Sequence, residues 1–143
     1  MTDNFKEFDI HEIEVGMKES SSHTITDNDV VAYAEISGDK NPAHLDEEFA
    51  ASTRFKKRIA HGLMSASYFS ALFGTKLPGR GCVYVSQNLN FKRPVYIGDE
   101  VIATIEVVGI DVVKRRVFFS TTCKVKNKVV IDGEAEMYIP PKG

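Results

Sequence analysis

From Gly62 to Thr75 no side chain carries a charge. Leu63, Met64, Ala66, Tyr68, Phe69, Ala71, Leu72 and Phe73 point in nearly every helical direction, with only Ser65, Ser67 and Ser70 between them. A helix that is apolar almost all round has to be enclosed by the rest of the fold. The pattern predicts a helix that opens within residues 59–64, runs to Phe73 and stops at Gly74. Gly62, Ala66 and Ser70 recur every four residues, a small-residue stripe that backbone or ligand can approach closely.

What encloses this helix follows it in the chain. Val83, Val85, Leu89 and Phe91 alternate with Tyr84, Ser86, Asn88 and Asn90, the period of a strand with one buried face. Arg93-Pro94 and Ile97-Gly98-Asp99 break the pattern as a turn. Val101, Ala103, Ile105 and Val107 alternate again up to Gly109. Residues 117–125 are β-branched and aromatic, Lys126-Asn127-Lys128 turns the chain, and residues 129–139 alternate once more. The expected class is α+β, an antiparallel sheet wrapped around one long central helix, since this buries both at once.

The segment before the helix carries the chemistry. Residues 5–16 read as a loose lead-in and residues 17–25 as a strand with a polar face. Thr26 caps a helix whose apolar side is Val30, Val31, Ala34 and Ile36, ended by Gly38. Next comes Ser37-Gly38-Asp39-Lys40-Asn41-Pro42-Ala43-His44. Asn41 is a preferred N-cap, held extended by the following proline, and Pro42 is pre-set for the first helical position. A bend at Gly38 followed by one helical turn brings Asp39 and His44 to one side, where a carboxylate and an imidazole can face one water. For an isolated Asp/His pair, a turn cap and a packed imidazole is the better reading; the Gly-Asp-x-Asn-Pro-x-His setting reverses that. Asp46 caps a further short helix holding Phe49, Ala50 and Ala51, and residues 52–59 form an irregular basic connection.

Composition narrows the function classes. The 143 residues suit one domain, 1–143, and 27% charged with 43% hydrophobic residues is ordinary for a soluble globular protein. A net charge of −2 gives no footprint for general nucleic-acid binding. Cys82 and Cys123 have no metal or redox spacing and no disulfide framework, which fits a reducing cytosol, and both fall in strand patterns as packing residues. Residues 1–10 lack the apolar core of a signal peptide, and no run approaches the roughly 20 apolar residues of a membrane span.

Three stretches together, Gly38-Asp39-x-Asn41-Pro42-x-His44-x-Asp46, His61-Gly62-Leu63-Met64 and Phe91-x-x-Pro94-Val95-x-x-Gly98-Asp99, resemble the MaoC-like (R)-specific enoyl-CoA hydratases. The likeness is greatest to the short bacterial enzymes of polyhydroxyalkanoate synthesis, and it spans roughly residues 26–138. It implies a hot-dog fold, a homodimer in the cytoplasm, and reversible syn addition of water to a trans-2-enoyl-CoA thioester without metal or organic cofactor. In that resemblance Asp39 and His44 match the catalytic pair, and Gly62 matches the glycine whose amide faces the thioester carbonyl. Ser70 and Asn41 are the expected substrate-contacting residues.

The groups suffice for the chemistry. Bulk water and an ordinary Asp differ by about 12 pKa units, roughly 16 kcal/mol, so neither residue accumulates hydroxide. The proton must leave as the C–O bond forms, while charge moves onto the thioester oxygen. A free amide at the amino end of the buried helix can meet that charge. One residue of the pair is expected to take the water's proton and the other to deliver one to C2, in either assignment.

Other signals are weaker. His44, Asp46 and His61 could be read as a two-His, one-carboxylate metal set. Asp46 is better explained as a helix cap, and His61 as a residue shaping the start of its helix. Lys56-Lys57-Arg58 and Lys92-Arg93 are candidates to meet coenzyme A phosphates, although such runs are usually solvated. Tyr68, Leu72 or Phe91 would floor the acyl pocket if the fold points them inward. His11 and His23 carry no signal. The rival readings are a 3-hydroxyacyl-acyl-carrier-protein dehydratase, a hot-dog thioesterase and a non-catalytic acyl-CoA-binding subunit.

Overall fold

The computed structural model describes residues 5–142. In chain order the elements are β1 (Lys18–Thr24), α1 (Asp27–Ser37), α2 (Pro42–Leu45), α3 (Glu47–Ala51), α4 (Gly62–Thr75), β2 (Val83–Gln87), β3 (Asn90–Phe91), β4 (Glu100–Asp111), β5 (Arg116–Val125) and β6 (Lys128–Tyr138). The sheet runs β1-β4-β5-β6-β2, with β3 also paired to β6, and every pairing is antiparallel. Helix α4 lies against β1, β4 and β5. Val101, Ala103, Ile105 and Val107 are completely buried, as their alternation predicts, and they face Phe69 and Phe73 within one core. Phe73 meets Phe119 edge-on, with ring centroids 4.8 Å apart. Lys126 and Asn127 both take positive φ, closing the hairpin between β5 and β6. A curled antiparallel sheet holding one long helix is the expected α+β, hot-dog architecture.

Four expectations are corrected. The lead-in is not loose: Ile10–Glu12 forms a 3₁₀ turn, and Ile10 and Ile13 are core residues. Lys6 and Phe8 donate backbone hydrogen bonds to Thr75 and Pro78, which ties the segment to the end of α4. In α1 only Val30 and Ala34, one turn apart, are buried; Val31 and Ile36 lie on other faces, Ile36 at 87% exposure. The predicted single strand over 83–91 is two pieces, because Asn88 leaves the β2 line to pair with Glu134 through both backbone and side chain. Val83, Val85 and Phe91 are exposed, since nothing among the described residues covers the β2 edge.

The fourth correction concerns α4. It begins at Gly62 with His61 as N-cap and continues through Gly74 to Thr75. Ile59 and Ala60 are extended, bridging Tyr96 and bonding to Val95. Met64, Ser65, Ala66, Phe69, Leu72 and Phe73 are buried, but Leu63, Ser67, Ser70, Ala71 and Gly74 face outward. The helix is enclosed on one side only.

Candidate active site

Helix α1 ends on Gly38, whose φ of 78° is left-handed and whose N–H bonds back to Ala34. Glycine enters that region at no steric cost, so the chain turns sharply there. Asp39 follows, with its own N–H on Ser37 Oγ at 3.0 Å and its Oδ1 receiving the Asn41 N–H at 3.3 Å. Asn41 Oδ1 accepts from the Ala43 amide, and Pro42 begins the single turn of α2. That turn delivers His44, half-buried, to the side where Asp39 lies.

Two long-range bonds fix His44. Its Nδ1 lies 2.7 Å from the Ile59 carbonyl, which can only accept, so Nδ1 carries the proton and Nε2 of the neutral ring is bare. Its own carbonyl receives Arg58 Nε–H at 2.7 Å. Arg58 in turn pairs with Asp27 at 2.7 Å and is only 11% exposed, which braces α2 against the first turn of α1.

From the other side comes the start of α4. His61 is 2% exposed, donates through Nε2 to the Asp39 carbonyl at 2.9 Å, and stacks on His44. Gly62 is the first helical residue, so its amide has no acceptor within the helix. A Cβ there would come within 2.7 Å of the Phe91 ring, so glycine alone lets that ring lie over the helix start. Tyr33, Asp39, His44, His61, Gly62, Leu63 and Phe91 line a cleft of about 210 Å³. A second cleft of about 280 Å³ shares His44, Gly62 and Phe91 and is rimmed by Arg54, Lys92 and Arg93.

One carboxylate oxygen of Asp39 and one ring nitrogen each of His44 and His61 lie within 4.8 Å of one another. Two hydrogen bonds of about 2.8 Å meeting at one water span about 4.6 Å, so a single water can join Asp39 to His44. The same three groups form a donor set that could hold a divalent ion. Asp46 belongs to neither arrangement: its Oδ1 accepts from the Glu48 and Phe49 amides.

The expected residues do not all meet. Asp39, His44 and Gly62 line one cleft. Asn41 lies outside its lining, with its side chain spent on the α2 cap. Ser70 sits two turns further along α4, about 12 Å from Gly62, on the outward face. Of the pocket-floor candidates only Phe91 reaches the cleft; Leu72 is core, and Tyr68 stacks on His23. Arg58 is committed to His44 and Asp27, and Lys57 lies over the Tyr96 ring. His61, read as a residue shaping the helix start, instead touches both Asp39 and His44; the sequence sets it beside Gly62 and, in the weaker metal reading, with His44.

Residues 10–130 match the profile of the MaoC like domain. The chain is 49% identical over 132 residues to the (R)-specific enoyl-CoA hydratase of Rhodospirillum rubrum, covering 92% of both chains. It is 50% identical over 131 residues to the 3-hydroxybutyryl-CoA dehydratase of Methylorubrum extorquens, covering 92% of this chain and 83% of that one. Among solved structures, the (R)-hydratase of A. caviae involved in PHA biosynthesis superposes with a TM-score of 0.87 and 41% identity, over 90% of this chain and 98% of that chain.

Proposed function

The chain belongs to the MaoC-like domain family, and on that premise we propose that it adds water to a trans-2-enoyl-CoA, giving the (R)-3-hydroxyacyl-CoA. The observation that supports this most is the meeting of Asp39 and His44, within reach of one water, at the amino end of α4.

In this reading His44 Nε2, bare because Nδ1–H is held by Ile59, accepts the proton of the attacking water. Asp39 accepts the water's other hydrogen and so aims its lone pair. The oxygen bonds to C3 as the C2–C3 π electrons move toward the thioester, whose carbonyl oxygen gains charge at the Gly62 amide. One such donor is worth about 2.7–4 kcal/mol where it has been removed from other enzymes. The positive end of the α4 dipole adds to it. The pair then returns a proton to C2 on the face from which the water came, so H and OH add syn and no proton is gained or lost overall. Reversal of these steps dehydrates the product.

The cleft rimmed by Arg54, Lys92 and Arg93 adjoins Gly62 and suits the pantetheine arm of coenzyme A, with the coenzyme's phosphates near the basic rim. The acyl chain runs the other way, along the small-residue stripe of α4 toward Ser70. A second copy of the chain covers the outward face of α4 and the β2–β3 strands, where Leu63 is 58% and Phe91 55% exposed. Such a homodimer sits in the cytoplasm, in keeping with two free cysteines, and supplies (R)-3-hydroxyacyl-CoA to polyhydroxyalkanoate synthesis. Among the described residues no helix is long and apolar enough to cross a membrane.

Incubation with crotonyl-CoA tests the assignment. Falling enoyl-thioester absorbance without thiol release supports hydration, whereas thiol release indicates a thioesterase. Turnover of only the acyl-carrier-protein thioester would move the enzyme to the dehydratase branch, and tight binding with neither signal would make it a binding subunit.

A further inference from the structure

Asp39 lies in a stretch without regular structure, between the left-handed Gly38 and the α2 cap. Its N–H and carboxylate are held by neighbours within two residues, Ser37 and Asn41. The long-range tie is the His61 Nε2–H to its carbonyl oxygen, at 2.9 Å. The face of the same ring lies against His44, with centroids 3.8 Å apart, while Tyr33 tilts against it at 4.8 Å. The backbone of His61 passes directly into Gly62. One side chain therefore sets Asp39, His44 and the start of α4 relative to one another.

A carbonyl cannot donate, so Nε2 must carry the proton, and Nδ1 of the neutral ring is then an acceptor. That Nδ1 is buried without a hydrogen-bond partner. The hydroxyl of Ser65 is also buried without one, four residues on and so one turn along the same side of α4. A buried donor and a buried acceptor left unmade each cost about 1–3 kcal/mol. They are complementary, and one enclosed water between them would satisfy both.

We propose that His61 is a positioning residue for the Asp39–His44 pair, its Nε2–H fixing the Asp39 backbone and its ring face the plane of His44. The proposal rests on the catalytic reading of that pair. It differs from a packing role in which atom matters. Gln places an amide N–H where Nε2 stands, Asn places one where Nδ1 stands, and Phe keeps the ring without either.

The test compares His61→Gln, His61→Asn and His61→Phe with wild type and Asp39→Asn on crotonyl-CoA. A misplacement of about 1 Å costs about 10²-fold in rate. His61→Phe and His61→Asn should therefore lose about that much kcat with little change in KM, and His61→Gln should recover at least about tenfold of it. Equal losses in all three, or a wild-type kcat in folded His61→Phe, would overturn the proposal. If Asp39→Asn also turns over normally, the catalytic reading fails with it; if only the His61 variants do, the positioning role fails alone. Ring-nitrogen NMR of the wild-type protein needs no variant to fold: His61 protonated at Nε2 and bare at Nδ1 is expected, and the opposite tautomer contradicts the proposal.

Discussion

The imidazole of His44 lies face to face with that of His61, ring centroids 3.8 Å apart and planes 26° from parallel. The two rings are anchored at opposite ends of the site, His44 by the Ile59 carbonyl and His61 by the Asp39 carbonyl. Each anchor is a backbone oxygen on the other segment's side, so the α2 turn and the start of α4 hold each other in register. The geometry of this cleft depends on a few directed bonds between short segments, not on the large core behind α4.

Gly62→Ala tests the close approach at the helix start. The new methyl would sit 2.6–2.7 Å from the Phe91 ring. Phe91 is half exposed and can swing aside, so the fold should survive. Methyl and displaced ring then crowd the thioester away from the amide, and kcat should fall toward the about 10²–10³-fold seen when such a donor is removed. Steady-state kinetics beside a thermal melt decide this; unchanged kcat in a folded variant speaks against the Gly62 role.

Arg58→Ala should couple stability to activity. It removes the bond to the His44 carbonyl and the ion pair to Asp27. Asp27 is largely exposed, so the ion pair contributes little. The bond from the charged guanidinium accounts for most of an expected loss of about 1.5–3 kcal/mol in urea unfolding. Arg58→Lys should restore little, because an ammonium cannot reproduce the planar fork that reaches both partners.

Val85→Asp should separate the proposed dimer. Val85 is exposed on the β2 edge beside Val83, where a second copy would bury it. A desolvated, unpaired carboxylate is costly, so sedimentation should report a dimer for wild type and a monomer for the variant. A wild-type monomer would contradict the covered face.

Burial pushes the Cys123 thiol up to about 12 and raises that of Cys82 as well. Burial disfavours the thiolate, which is the reactive form, so near pH 8 both should resist alkylation in the folded protein. Mass spectrometry should find Cys123 modified only after unfolding; rapid native modification of Cys123 would contradict its packing role.

How much of this was legible before the structure depended on whether the cause was local. Val101 to Val107 could be read because a strand between two neighbours, with a helix on its inner face, buries every second residue. Val83 and Val85 show the same alternation yet are bare, since alternation says nothing about whether a face is covered. Helix α4 misled in the same way: its composition announces burial all round, but Leu63, Ser67, Ser70 and Ala71 lie exposed on one face. At the site, Gly38, Asn41, Pro42 and Asp46 carry their capping roles in their immediate sequence. The bonds from Arg58 to His44 and from His61 to Asp39 join residues 14 and 22 positions apart, and nothing local in the sequence reports them.

The central claim is that Asp39 and His44 act on one shared water. Its most direct test is the hydration rate of crotonyl-CoA for wild type, Asp39→Asn and His44→Ala, each shown to be folded by circular dichroism. The expected result is active wild type and a loss of about 10²–10⁴-fold in each variant. Near-normal turnover in either folded variant would contradict the claim.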